Sequence, residues 1–448
     1  MKAFKAYDIR GVYNRDFDKD DAYKIGFFLP EVLGASKVLV GRDARLSSGE
    51  IFENLARGIC DAGADVYDAG LCTTPKVYFG TGYFGFDASV QITASHNPKD
   101  HNGMKVSQTG AMPVGYDNGL NRIEELMRTR SHIPVAKKGK IFQQNFDDVY
   151  LDFLKKHITP LDGMKVCIDL SNGMAGLFAR QIFGDSPIYL NDTIDGSFPG
   201  HEPNPLEPEN IEMLQHAVQH HGADLGIIFD GDADRVMFVD EHGKFISPDL
   251  MIALLGHYYA DKGLTGTVVQ DIRTSKAVGN YLSKMGFRVE TWKVGRAFAS
   301  RKLKELDGIF GGELAGHYYF RDFYYSDSGL LACLILSGVL KKMHEQGITV
   351  SQAIATVSQY ISSGEINFRI EKKAEAMEAV KRHFFDIEKP MYFADFDGYR
   401  LDYQDFWINI RPSNTEPYLR FIAEAENLTR LNEVIGVVRE ICNRPEFS

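Results

Sequence analysis

Cysteine is scarce in this chain: Cys60, Cys72, Cys167, Cys333 and Cys442 are the only five in 448 residues, odd in number and without metal-ligand spacing. That argues against a disulfide framework or a cysteine metal site and predicts reduced, mostly buried thiols. A surplus of positive charge is missing too, since 50 Lys+Arg against 61 Asp+Glu leave a net charge of −11. Nucleic acid and an anionic membrane surface are therefore poor partners, while a local basic pocket for a small anion remains compatible with that balance. No apolar segment precedes Asp8 and Arg10, so no signal peptide is read. The apolar run Leu330–Leu340 is too short to span a bilayer and meets Lys341-Lys342. There is no low-complexity tract. The expectation is a soluble, cytoplasmic globular protein; the oligomeric state is not legible.

What is present is a strand–turn–helix–strand pattern met three times. Lys37–Val40 runs into Gly41-Arg42-Asp43, a helix with Ile51, Phe52, Leu55, Ala56 and Ile59 on one face, and Ala64–Tyr67; Ser47 and Glu50 suggest a capping box at its start. Lys165–Ile168 runs into Ser171-Asn172-Gly173, a short helix through Phe178, and Pro187–Leu190. Thr267–Val269 runs into Arg273-Thr274-Ser275, a helix to about Lys284, and Phe287–Glu290. Each is the βαβ unit of a parallel sheet. From Ile366 onward, adjacent strands lie between two helices, which predicts a smaller α+β domain with an antiparallel sheet. The expected organisation is α/β: three similar α/β domains with mixed sheets (1–145, 146–240, 241–362) and a C-terminal α+β domain (363–448).

Five segments carry candidate chemistry. Thr93–Lys105 places the hydroxyl of Ser95 on a stiff turn, because Pro98 fixes its own φ and restricts Asn97; Lys105 returns beside it on the next strand. Ser95 and His96 are expected to face apart on this extended turn, which argues against a Ser-His hydrolase. Asp230, Asp232 and Asp234 alternate along an expected extended segment, so their carboxylates point one way and call for a hard divalent cation. A calcium helix–loop–helix shares that spacing but needs glycine where Arg235 stands and helices where the flanks read as strands; a solvated acidic turn is the plainer alternative. Arg411–Pro417 with Arg420 reads either as an anion cradle or as a polar hairpin turn. Gly311–His317 permits close backbone approach beside Glu313 and serves equally as a tight turn. Tyr7–Gly11 alone is a strand end with a charged turn.

Taken in order, Tyr-Asp-Ile-Arg-Gly, Thr-Ala-Ser-His-Asn-Pro, Asp-Gly-Asp-Ala-Asp-Arg, Gly-Glu-Leu-Ala-Gly-His and Arg-Pro-Ser-Asn-Thr-Glu-Pro resemble the motifs of the α-D-phosphohexomutase superfamily, phosphomannomutase/phosphoglucomutase branch, over essentially the whole chain. The resemblance implies four domains around a central cleft. It also implies a mutase that interconverts hexose 1- and 6-phosphates of mannose or glucose through a hexose 1,6-bisphosphate. By that resemblance Ser95 carries the phosphoryl group, and Asp230, Asp232 and Asp234 hold Mg²⁺, which also touches Ser95. Tyr7, Arg10, His96, Lys105 and Arg235 line the transfer site. Glu313, with His317, Arg296 and Arg273, reads the sugar, and Arg411, Ser413, Asn414, Thr415 and Arg420 clamp the phosphate that is not reacting. Three positions depart from that branch: Ala315 where serine is common, Arg296 where histidine is common, and Arg273 where lysine is common. The alternative reading is a metal-dependent sugar-phosphate phosphatase that uses the same serine.

Overall fold

Strand pairing in the computed structural model, which describes residues 1–413 and 418–447, explains why the pattern recurs. In the first sheet Asp65–Leu71, Lys37–Arg42 and Ala88–Ile92 lie parallel, and the chain then folds back antiparallel as His101–Gln108. The second sheet repeats this with Ile188–Leu190, Val166–Asp169 and Leu225–Phe229, followed by the antiparallel Val236–Asp240. The third does so with Arg288–Trp292, Thr267–Asp271 and Phe310–Gly312, followed by Tyr318–Phe320. The hairpin turns 93–100, 230–235 and 313–317 are thus one topological position in three copies. The fourth sheet is antiparallel throughout, with Tyr418–Ala425 and Phe406–Pro412 at its centre. Three mixed α/β sheets and a C-terminal α+β unit are the architecture the pattern predicts.

Strands buried on both faces read as apolar runs, and Leu225–Phe229 is buried at every position. The helix Ser48–Asp61 turns Ile51, Leu55, Ala56 and Ile59 inward. It crosses Lys19–Leu33 with backbones nearly touching: a Cβ on Gly26 would lie 2.2 Å from the Leu55 carbonyl oxygen, and one on Gly58 2.1 Å from that of Tyr23. The expected capping box does not form. Ser47 makes no cap hydrogen bond; its hydroxyl accepts from Nδ2 of Asn102 in the strand His101–Gln108, and Glu50 accepts from the Tyr13 hydroxyl, so both side chains go to tertiary partners. In the second unit the helix through Phe178 is a 3-10 turn, Met174–Leu177, continued by Ala179–Phe183.

One large apolar core runs from Tyr78 and Phe79 through Phe178 and Phe229 to the helix Gly329–Glu345, joining the first three domains. That helix is buried almost all round, which accounts for Leu330–Leu340 without a membrane; among the described residues no helix is long and apolar enough to cross one. The fourth domain has a core of its own, including Phe368, Val380, Ile408, Phe421 and Val438. Its attachment includes polar contacts, with Arg400 donating to the carbonyls of Ile272 and Thr274 at 2.9 and 2.6 Å and Glu424 accepting from Ser275 Oγ at 2.5 Å, and a ring contact of Trp292 with Phe396 at 5.4 Å. The cysteines are unpaired, and four of the five are buried.

Candidate active site

The turn 93–100 is folded more tightly than its sequence suggests. Ser95 has φ +52, its N–H donates to Thr93 Oγ1 at 2.9 Å, and Asn97 N–H donates to the Ala94 carbonyl at 3.0 Å. A left-handed residue strains a non-glycine backbone by about 1–2 kcal/mol. Here it corrects the expectation that Ser95 and His96 face apart: the bent backbone brings Ser95 Oγ to 3.2 Å from His96 Nδ1. Burial, then the charges of Arg235, Arg10 and Lys105, hold the His96 ring well below its ordinary range, so it is neutral. The serine hydroxyl donates to Asp230 Oδ2 at 2.8 Å, across 135 residues of sequence.

The acidic loop is likewise not an extended segment. Ala233 has φ +62, its N–H donates to the Asp230 carbonyl at 3.2 Å, and Arg235 N–H donates to Asp230 Oδ1 at 3.2 Å. The carboxylates therefore converge by a tight turn rather than by strand alternation. Candidate ligand atoms of Asp230, Asp232 and Asp234 lie within 4.8 Å of one another, and all three side chains are fully buried. Lys105 Nζ donates to Asp232 Oδ2 at 2.7 Å and also to Asp234; Thr74 Oγ1 donates to Asp232 Oδ2 at 2.5 Å. Arg235 Nε donates to Asp230 Oδ2 at 2.9 Å. Asp232 Oδ1 and Asp234 Oδ1 are buried with no hydrogen-bond donor. Orphaned oxygens in an all-carboxylate set fit a hard divalent cation such as Mg²⁺. Burial, then the charges of Asp234 and Asp232, push the Asp230 carboxyl up to about 7.

The third domain closes the opposite wall. Val236 N–H donates to the Gly316 carbonyl at 3.3 Å, an isolated strand pairing that brings Asp234 within 3.8 Å of His317. His317 Nδ1 lies 2.7 Å from Asp327 Oδ2. Burial works against the charged ring, but Asp234 and Asp327 outweigh it and hold the imidazolium above its usual range. Glu313 accepts from the Tyr319 hydroxyl at 2.6 Å and from Gly295 N–H at 3.3 Å. Arg273 is held by Asp271 Oδ2 at 2.7 Å and stands 3.9 Å from Glu313. Arg296 faces the first domain: its guanidinium lies 3.6 Å from the centre of the Tyr78 ring, and Nε donates to Asp327 Oδ1 at 3.1 Å. Arg10 donates to Asn97 Oδ1 at 2.8 Å and to Asp8 at 2.5 Å, and Tyr7 packs edge-on against Phe298 at 5.6 Å. Tyr7, Arg10, Ser95, His96, Lys105, Asp234, Arg235, Arg296, Glu313 and His317 all line one cleft of about 1020 Å³.

The segment expected to clamp phosphate is described only in part. Arg411 is buried, 4.0 Å from Asp397, and Ser413 N–H donates to the Tyr418 carbonyl at 2.9 Å. Arg420 lies opposite Arg411 in the sheet and pairs with Glu365 at 3.2 Å. Asn414 and Thr415 lie outside the described residues. Asp397 also accepts from Val294 N–H at 2.9 Å, which ties this domain to the loop before Arg296. Arg45, Thr74, Asp327 and Asp397 were not singled out from sequence. Only Thr74 had a local signal there, since Thr73-Thr74-Pro75 is a helix start whose N-cap, Thr73, accepts from Lys76 N–H.

Comparison with known proteins agrees over the full chain. Residues 1–133, 148–243 and 247–360 match phosphoglucomutase/phosphomannomutase alpha/beta/alpha domains I, II and III, and residues 365–441 match the C-terminal domain of that family. The phosphomannomutase of Vibrio cholerae is 37% identical over 99% of both chains, and that of Escherichia coli K12 is 36% identical over 97% of both. The crystal structure of a phosphoglucomutase/phosphomannomutase family protein from Burkholderia thailandensis superposes with a TM-score of 0.89 at 28% identity, covering 100% of this chain and 98% of that one. Four matching domains in order and full-length relatives above 30% identity place the chain: it belongs to the phosphoglucomutase/phosphomannomutase family, among the α-D-phosphohexomutases.

Proposed function

We propose that this protein is a Mg²⁺-dependent phosphohexomutase that interconverts hexose 1-phosphate and hexose 6-phosphate, of mannose or glucose, with Ser95 as phosphoryl carrier. The observation that carries this reading is the Ser95 hydroxyl set 2.8 Å from Asp230 in a buried carboxylate triad, at the floor of a cleft shared by the first three domains. Asp230, Asp232 and Asp234 are the residues that would hold the metal, with Ser95 beside them. When bound, the cation neutralises charge on the phosphoryl oxygens.

In the first half-reaction the phosphorus–oxygen bond to Ser95 breaks and one forms to a sugar hydroxyl, giving a hexose 1,6-bisphosphate. The hydroxyl's proton must leave to a base in the same cleft; His317, paired with Asp327 in the cleft wall, can serve only after giving up the proton that Asp234 and Asp327 hold on it. After the bisphosphate turns end for end, its other phosphoryl group passes to Ser95 and the isomeric monophosphate leaves. Lys105 and Arg235 supply positive charge to the moving group, since phosphoryl transfer asks mainly for alignment and neutralisation. Glu313 holds sugar hydroxyls, and Arg411 with the adjoining turn holds the idle phosphate. Such a remote clamp suits an intermediate that must be accepted by either end.

A coupled assay of glucose, mannose and glucosamine phosphates, with a trace of sugar bisphosphate, tests the reading. Isomer formation that disappears in Ser95→Ala is expected. Release of inorganic phosphate in step with substrate loss, without an isomer, would instead make the protein a phosphatase.

A further inference from the structure

The loop that follows the central strand of each α/β domain braces that domain's hairpin turn. Each begins with an aspartate whose carboxylate accepts the N–H two residues on: Asp43 from Arg45 at 3.0 Å, Asp169 from Ser171 at 2.9 Å, Asp271 from Arg273 at 2.6 Å. In the second domain Ser171 Oγ donates to the Phe229 carbonyl at 2.6 Å, and Met174 N–H donates to the Gly231 carbonyl at 2.9 Å. In the third, Asp271 Oδ2 accepts Leu314 N–H at 2.9 Å. Only in the first domain does a guanidinium bind the turn's main-chain carbonyls; Arg273, at the matching position of the third, turns to Asp271 and stands 3.9 Å from Glu313. Arg45, with a side chain 0% exposed, donates to the carbonyls of Ser95 at 2.9 Å, Asn97 at 2.6 Å, Pro98 at 2.6 Å and His101 at 3.1 Å. Asp43 holds its Nε at 3.2 Å, and Phe198 of the second domain covers its face at 4.9 Å.

From this we infer that Arg45 is a positioning residue for phosphoryl transfer: it gathers three main-chain carbonyls of the turn and that of His101 just after it onto one rigid cation and so fixes the direction of Ser95 Oγ. The inference rests on Ser95 being the phosphoryl carrier. Ser95 sits at φ +52, a conformation that persists only where the surroundings impose it. A planar fork with five donors in fixed directions imposes it; an ammonium, with three rotatable donors, reaches fewer of the four oxygens. Peptide planarity also turns the His96 N–H opposite to the Ser95 carbonyl that Arg45 binds. Arg45 touches neither sugar nor phosphate, so its effect falls on the transfer step.

The test compares Arg45→Ala, Arg45→Lys and Ser95→Ala with the native enzyme. It follows kcat and KM for the sugar phosphate, the rate of serine phosphorylation by hexose 1,6-bisphosphate, and folding by circular dichroism. Misplacement of a reacting atom by about 1 Å lowers rates by ~100-fold, so Arg45→Ala is expected to lose about that much in kcat and in phosphorylation rate. Its KM should stay within about threefold, as for an interaction made only in the transition state. Low-millimolar guanidinium should restore part of the lost rate in Arg45→Ala, and methylammonium should not. If the alanine variant does not fold, the lysine variant carries the same expectation of slowed phosphorylation at unchanged KM. A folded Arg45→Ala or Arg45→Lys with native kcat and phosphorylation rate overturns the inference. An active Ser95→Ala would overturn the carrier assignment itself, whatever the Arg45 variants do.

Discussion

Lys105→Met removes one ammonium while keeping most of the aliphatic stem, and so isolates a charge effect at the carboxylate triad. Its Nζ lies 2.7 Å from Asp232 Oδ2 and also contacts Asp234, with the lysine side chain 9% exposed and both carboxylates 0%. Burial alone would lower the lysine's pKa, and the two aspartates more than reverse that, holding the ammonium charged above its usual range. Deleting one partner of such a buried set destabilises by about 3–5 kcal/mol, because the remaining charges stay in place without compensation. At about 2–4 °C per kcal/mol for a unit of 150–250 residues, the melting midpoint in chelator should fall by roughly 6–20 °C. A ligand that binds only the folded state raises stability with its concentration. Without the ammonium Asp232 loses its ion pair and Asp234 keeps His317 at 3.8 Å, so more of the neutralisation would fall to Mg²⁺. Titrating Mg²⁺ into the variant should therefore raise its midpoint by more than in the native protein. Thermal unfolding with chelator and across a Mg²⁺ series measures both quantities. A variant that melts with the native protein in chelator, or gains no more from Mg²⁺, would refute the account of Lys105 as the resident counter-charge of the triad.

Two further outcomes are expected from the fourth domain. If Arg411 holds the idle phosphate as proposed, Arg411→Ala removes a charge-assisted contact of about 1.5–3 kcal/mol, so KM should rise roughly 10- to 150-fold while Ser95 is still phosphorylated by bisphosphate; loss of phosphorylation would assign Arg411 to the transfer itself. Glu424 sits where this domain docks, held by Ser275 and Trp407 and facing Asp249 and Arg400, and burial, then Asp249, push its carboxyl up to about 7. Its neutral form is the one the fold favours. That contribution is complete below the unfolded value of 4.5 and is lost as pH rises through about 7. Relative to Glu424→Gln, the native midpoint should fall between about pH 5 and pH 8; parallel pH profiles would contradict the assignment.

Much of this protein is legible without coordinates, because the legible features are local. The βαβ repeats announce themselves by apolar strands ending in polar turns, and Thr93–Lys105, Asp230–Arg235 and Gly311–His317 stand out through residue types within a few positions of one another. What spacing could not supply is direction. Alternation along a strand predicted that Asp230, Asp232 and Asp234 converge, but they do so because Ala233 is left-handed. An extended turn predicted that Ser95 and His96 diverge, and a left-handed Ser95 brings them together. The capping residues Ser47 and Glu50 were claimed by Asn102 and Tyr13, tertiary partners that a helix-start pattern does not contain.

The sequence by itself determined the βαβ repeat, the motifs and, through their order, the family. Which motifs meet was decided only in three dimensions. Ser95 reaches Asp230 across 135 residues, Thr74 reaches Asp232 across 158, and Arg45 reaches the Ser95 carbonyl across 50. The physical reason is topological: each sheet returns its chain through the same hairpin position, and the first three domains share one core that turns those hairpins toward one another. Arg45 shows the limit most plainly, since nothing beside it in the chain marks it until the fold seats the Ser95 turn over its guanidinium.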